Sequence, residues 1–120
     1  MTYSIKKQNK YHNVRQNYNG NLYHSKKEAT KAWELDMLIK AGEIKSYERQ
    51  VKEELYGQNG TRVTNYFVDF VVYHNDGLKE YVEIKSPITA TPVWKLKWYL
   101  LEDKYKDEIS RGEIKLTVEY

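Results

Sequence analysis

Residues 63–86 read V-T-N-Y-F-V-D-F-V-V-Y-H-N-D-G-L-K-E-Y-V-E-I-K-S. The first eleven are dense in β-branched and aromatic side chains, the strongest strand signal in the chain. Asn75-Asp76-Gly77 is turn chemistry and leads into a second strand over 78–86. Such a hairpin commits its surroundings to a sheet. Alternation along the second strand points Val82 and Ile84 one way and Tyr81, Glu83 and Lys85 the other. In the first strand Asp69 interrupts an apolar run, with Phe67, Val71 and Tyr73 expected on its face. A buried carboxylate needs a metal, a cation or hydrogen bonds. The plainer alternative is that Asp69 faces solvent on a half-exposed strand.

The length of the turn decides whether the acids meet. A three-residue loop, Asn75 to Gly77 with a left-handed glycine, pairs His74 with Leu78. Counting back along both strands then sets Asp69 opposite Glu83, with Cβ atoms about 4.5–5.5 Å apart. A two-residue loop would set Asp69 opposite Ile84 and send the two acids to opposite faces. We read the odd-length loop. Two facing carboxylates repel and call for a cation, and oxygen ligands of this kind suit Mg²⁺ or Mn²⁺. Lys85, beside Glu83 on one face, is placed to orient an attacking water or to neutralise charge at a phosphate. The alternative for the trio is an ordinary ion pair on a surface sheet.

The flanking sequence supplies the other elements. Ser25-Lys26-Lys27-Glu28 has capping-box spacing, and the helix it opens runs to Gly42. Ala32, Leu35 and Ile39, with Trp33 and Leu38 adjoining, are its expected buried stripe. Glu28 has a complete explanation as the reciprocal half of the box. It also continues that stripe at spacings i, i+4, i+7 and i+11, which aims it at the sheet. Residues 43–56 read as a long, polar, edge-like strand, and 57–60 as a turn. A second helix is expected over about 93–109, with Trp94, Trp98, Leu101 and Tyr105 on one stripe. Residues 114–120 close the chain as a strand. The order helix, three strands, helix, strand predicts an α/β domain with a small mixed sheet: a meander, then a helical crossover. The domain spans 25–120, preceded by a basic arm over 1–24.

That arm matters because the charge is uneven. The chain carries a net +3, yet Lys6, Lys7, Lys10, Arg15, Lys26 and Lys27 all precede the first acid, Glu28. Basic residues interleaved with tyrosines and asparagines suit a polyanion and its bases. A solubilising N-terminus explains the same charge. At 120 residues there is room for a single core. With no cysteine, disulfides and thiolate metal sites are excluded, and a reducing cytoplasm is the expected compartment. No apolar run approaches the roughly 20 residues of a membrane span, and the first residues form no apolar signal segment. His12, His24 and His74 lack metal-like spacing and read as surface or DNA-contacting residues.

Taken together, the run from Tyr18 to Tyr105 resembles the PD-(D/E)xK nuclease superfamily, with its restriction-endonuclease-like core of helix, three strands, helix and strand. Asp69 matches the strand aspartate, Glu83-Ile84-Lys85 the (D/E)xK tripeptide, and Glu28 the acid of the first helix. Gln50 falls where some members carry a polar residue on the first strand. Val68 stands where a proline usually precedes the aspartate. The chain is most similar to small phage-associated members, and is also similar to the phage endonuclease I type of Holliday junction resolvase and to transposon end-cleaving nucleases. The resemblance implies metal-assisted hydrolysis of DNA phosphodiesters, in recombination, repair or replication, in the cytoplasm of a host bacterium if the gene is a phage's. Asp69, Glu83 and the Ile84 carbonyl would hold Mg²⁺ or Mn²⁺, and Glu28 a second ion or its water shell. Lys85 would position the nucleophile, with Lys97 and Gln50 auxiliary to the site. Lys26, Lys27 and Lys95 would join the arm on the phosphate backbone.

Two other readings stay open on the sequence. One is a non-catalytic nucleic-acid-binding module whose acids form a structural cluster. The other is a phage accessory protein that works through a protein partner. The kind of DNA, the number of metal ions, and DNA against RNA are also open. A two-fold symmetric substrate would call for a homodimer, since one chain makes one site.

Overall fold

A computed structural model describes residues 16–120. Lys6, Lys7, Lys10 and Arg15, assigned to the basic arm, lie outside the described residues. The described chain opens with a hairpin, β1 (Gln16–Tyr18) and β2 (Asn21–Tyr23), turned at Asn19-Gly20. Helix α1 (Lys26–Lys40) follows, then β3 (Ile44–Tyr56), β4 (Arg62–His74) and β5 (Lys79–Ile84). Helices α2 (Pro92–Lys104) and α3 (Lys106–Ser110) lead to β6 (Ile114–Glu119). The main sheet runs β3-β4-β5-β6, antiparallel as far as β5 and parallel between β5 and β6. It is a mixed four-stranded sheet in an α/β fold: the expected meander, closed by the expected crossover.

Side chains bury on both faces of this sheet. On one, Ala32 and Leu35 of α1 and Tyr23 of the hairpin pack on Phe70, Val72, Val82 and Ile84. On the other, Trp94 and Leu101 of α2 pack with Leu55, Tyr66, Val68, Val71, Tyr81 and Ile114. Tyr23 is 1% exposed, so residues 16–23 pack as part of the body. This buried aromatic ties the hairpin to the body, within the stretch expected as an arm over 1–24.

Ser25 caps α1 by accepting from the Glu28 N–H at 3.2 Å, and Gly42 follows its end with φ at 74°. The buried stripe is shorter than expected. Beyond Leu35 the inward position is Asp36, whose carboxylate accepts from Tyr18 and from Tyr47, the latter at 2.9 Å. That polar pin leaves Trp33, Leu38 and Ile39 exposed. The second helix breaks at Tyr105 instead of running on to 109. Its hydroxyl, the Tyr81 hydroxyl and the Lys104 ammonium explain the break: all three side chains donate to the buried Glu53, at 2.7, 2.7 and 2.9 Å.

The β3–β4 ribbon changes faces midway. Tyr66 and Val68 pack on the α2 side, whereas Phe70 and Val72 pack on the α1 side. In β3, Tyr47 packs on the α1 side and Val51 and Leu55 on the α2 side. The pairs Arg49↔Phe70 and Val51↔Val68 keep the register across this point, so no residue is inserted. Gln50, with φ at 50°, sits between them and faces Asp69. A left-handed residue rotates the chain that follows it, and both strands turn over together. Phe67 is consequently exposed and is not on the buried face of Val71, contrary to simple alternation.

Candidate active site

The β4–β5 turn is the odd-length one. His74 N–H donates to Leu78 O at 2.9 Å, Gly77 takes φ at 94°, and the pairing runs Tyr73↔Lys79 to Phe70↔Val82. Continued by one step, that register sets Asp69 opposite Glu83. The regular ladder stops there and side chains replace it. Asp69 N–H donates to Glu83 Oε1 at 2.9 Å, and Ile84 N–H donates to Asp69 Oδ2 at 2.9 Å. Each acid thus fills a gap left where the strands part, which fixes both carboxylates through the backbone. Gln50 Nε2 donates to Asp69 Oδ1 at 3.3 Å. Lys85 Nζ lies 3.5 Å from Glu83 Oε2.

These groups line a cavity of about 710 Å³ whose wall also includes Glu28, Ile84, Lys26, Lys27 and Lys97. Nine positions expected at the site are therefore brought together: Lys26, Lys27, Glu28, Gln50, Asp69, Glu83, Ile84, Lys85 and Lys97. Lys95 is exposed on α2 and does not line the cavity. The acids are buried and Lys26 and Lys27 are exposed, which gives an acidic floor under a basic rim. Glu28 is buried although it begins a helix, and among the described residues no bond returns from it to the Ser25 N–H. Only one half of the capping box forms. The cavity wall claims the other half.

Burial dominates the electrostatics. It pushes Glu28 up to about 8, with the charges of Asp69 and Glu83 adding and those of Arg49 and Lys85 opposing. It pushes Glu83 up to about 7, again with Asp69 adding, against the Asp69 N–H and Lys85. Asp69 is raised by burial against the pull of the Ile84 N–H, Lys85 and Gln50. Three acids facing so little positive charge make a site short of cations.

Divalent metal fits this donor set. A carboxylate has about four lone-pair positions, so the bonds from Gln50, Ile84 and Asp69 N–H leave acceptor capacity on both acids. Among the described residues no three His, Asp or Glu side chains close around one point. Mg²⁺ needs no such cage, since it commonly takes one or two carboxylates and keeps its remaining positions for water and phosphate.

Two side chains of the site escape sequence reasoning. By sequence Trp94 reads only as core, and Tyr66 as one aromatic in a strand. Trp94 Nε1 donates to Tyr66 OH at 2.8 Å, and Lys85 Nζ lies 5.0 Å from the centre of the Trp94 ring. Trp94 braces the lysine from the α2 side, and the Tyr66 hydroxyl holds the Trp94 ring in place. Nothing in the spacing of Tyr66, 28 residues before Trp94, announces this contact.

Compared with known proteins, the chain matches over residues 8–117 a family model described as "Protein of unknown function (DUF1064)". No curated protein and no solved structure matches it. Among the described residues no helix is long and apolar enough to cross a membrane.

Proposed function

The chain belongs to the DUF1064 family, and from the site its fold assembles we propose that it is a metal-dependent endonuclease that hydrolyses phosphodiester bonds in DNA. The observation that carries this reading is the set Asp69, Glu83 and Lys85. Two buried carboxylates are locked together through backbone N–H groups, with an ammonium 3.5 Å from one of them, on the floor of a lysine-rimmed cavity. The resemblance of these positions to the PD-(D/E)xK pattern points the same way, toward a structure-selective, phage-type enzyme acting on branched DNA.

Asp69 and Glu83 would hold Mg²⁺ or Mn²⁺, with the Ile84 carbonyl as a further ligand and Glu28 beside them. Such an ion, when bound, lowers the pKa of its water and screens charge at the phosphate. Gln50 fixes the rotation of the Asp69 carboxylate through Oδ1. Lys85, held between Glu83 and the Trp94 ring, presents its ammonium to the attacking oxygen or to a phosphate oxygen. Lys26, Lys27 and Lys97 attract and align the flanking phosphates, which makes binding salt-dependent. Burial of the acids excludes bulk water and strengthens each of these interactions.

Incubation with plasmid, single-stranded, flap and four-way-junction DNA, with Mg²⁺, Mn²⁺ or EDTA, tests the proposal. The expected result is cleavage that needs the metal and falls at least about 100-fold in Asp69→Ala and in Lys85→Ala, while Lys85→Ala still binds DNA. Cleavage that survives in Asp69→Ala overturns the site. A wild-type protein that cleaves none of the panel with either metal overturns the activity.

A further inference from the structure

Phe67 has no role in the chemistry above, yet it lines the same cavity two residues before Asp69. Its neighbours Tyr66 and Val68 are 5% and 0% exposed, whereas Phe67 is 52% exposed. The face change of the β3–β4 ribbon is what turns this ring outward. A single exposed phenylalanine is ordinary on a protein surface. This one is set apart by its place, on the lip of an otherwise charged cavity that the exposed Val93 of the first turn of α2 also lines. The cavity therefore combines three surfaces: lysines at the rim, acids on the floor, and an apolar ring and aliphatic side chain at the lip.

We infer that Phe67 is a stacking platform for an unpaired base, with Val93 as the second apolar contact, so that the preferred substrate brings a nucleotide outside the double helix to the cavity. The inference rests on the proposed nuclease reading and narrows its substrate. In an intact duplex each base face is covered by the next base, and an aromatic ring at the lip has nothing to stack on. A flap, a single strand or a branch point offers a bare base face, and base–aromatic stacking tolerates any sequence. The phosphates of the same strand would meet Lys26, Lys27 and Lys97. Phe67 is thus a specificity residue that takes no part in the chemistry.

The test is fluorescence anisotropy in EDTA with three labelled DNAs: a blunt duplex, the same duplex with an unpaired flap, and the flap strand alone. Phe67→Ala should weaken binding of the flap and the single strand by about 5- to 100-fold and leave the duplex within about two-fold. Phe67→Trp should retain wild-type preference. Circular dichroism should show both variants folded, since the ring is half out of the protein. Equal weakening on all three DNAs, or none on any, overturns the inference. Because EDTA silences cleavage, this result stands apart from the nuclease assay. A wild-type protein inert toward DNA in Mg²⁺ would remove the nuclease reading and leave the stacking question answered by binding alone.

Discussion

Gln50 carries two burdens that pull in different directions. Its left-handed backbone costs about 1 kcal/mol for a residue with a Cβ, while its amide holds Asp69. Gln50→Gly should keep the thermal stability, because glycine takes that conformation freely, but should lower cleavage by releasing Asp69. Gln50→Val should cost about 1–3 kcal/mol in a denaturant titration. The three acids make a separate prediction. Glu28, Glu83 and Asp69 all have folded pKa values above their unfolded ones, so their contribution to stability is full at acidic pH and is lost as pH rises through about 7 and 8. Over this range Glu53 and Glu80, both held below the usual carboxylate value, stay ionised and add no slope. In EDTA the melting temperature should therefore fall between about pH 5.5 and 8.5. Glu83→Gln should flatten that fall, and saturating Mg²⁺ should raise the melting temperature most at the alkaline end. A profile unchanged by Glu83→Gln would remove the acids as its cause.

At the level of elements, the hairpin turn controls the site from a distance. Inserting one residue between Gly77 and Leu78, with the three-residue turn kept, pairs the new residue with His74 and moves Asp69 opposite Val82, which sends Glu83 to the other face. The variant should lose Mg²⁺ binding by calorimetry even if circular dichroism shows strands. This dependence was legible beforehand, because turn chemistry and a period of two are local properties. Asp69, Glu83 and Lys85 could be placed together from them alone, and Glu28 from helical spacing. The break at Tyr105 was not legible: it follows from three side chains meeting Glu53, roughly fifty residues earlier along the chain. The exposure of Leu38 and Ile39 was hidden for a like reason. Their stripe is apolar in sequence, and only the Tyr18 and Tyr47 hydroxyls on Asp36 show why the helix does not bury it. Trp94 and Tyr66 belong here as well, since their bond joins two elements that no local rule relates.

For the molecule as a whole, the sheet is held from both sides, and the two sides differ. Leu101, fully buried on the α2 side, should cost about 2–5 kcal/mol on truncation to alanine. Chemical denaturation should show a shifted midpoint with an unchanged slope. If DNA binding then weakens only as far as the folded fraction falls, the α2 core serves stability and not recognition. The turning-over of β3 and β4 has a different kind of consequence, for how such a domain is found. Its sequence is a two-letter rhythm of inside and outside that slips by one beat in two neighbouring strands at the same level. Scored strand by strand, each slip looks like noise. Aligned across the ladder, the slips coincide at Gln50 and Asp69, so a search for kindred chains would gain most by looking for the shared missed beat itself, with an acid on one side of it.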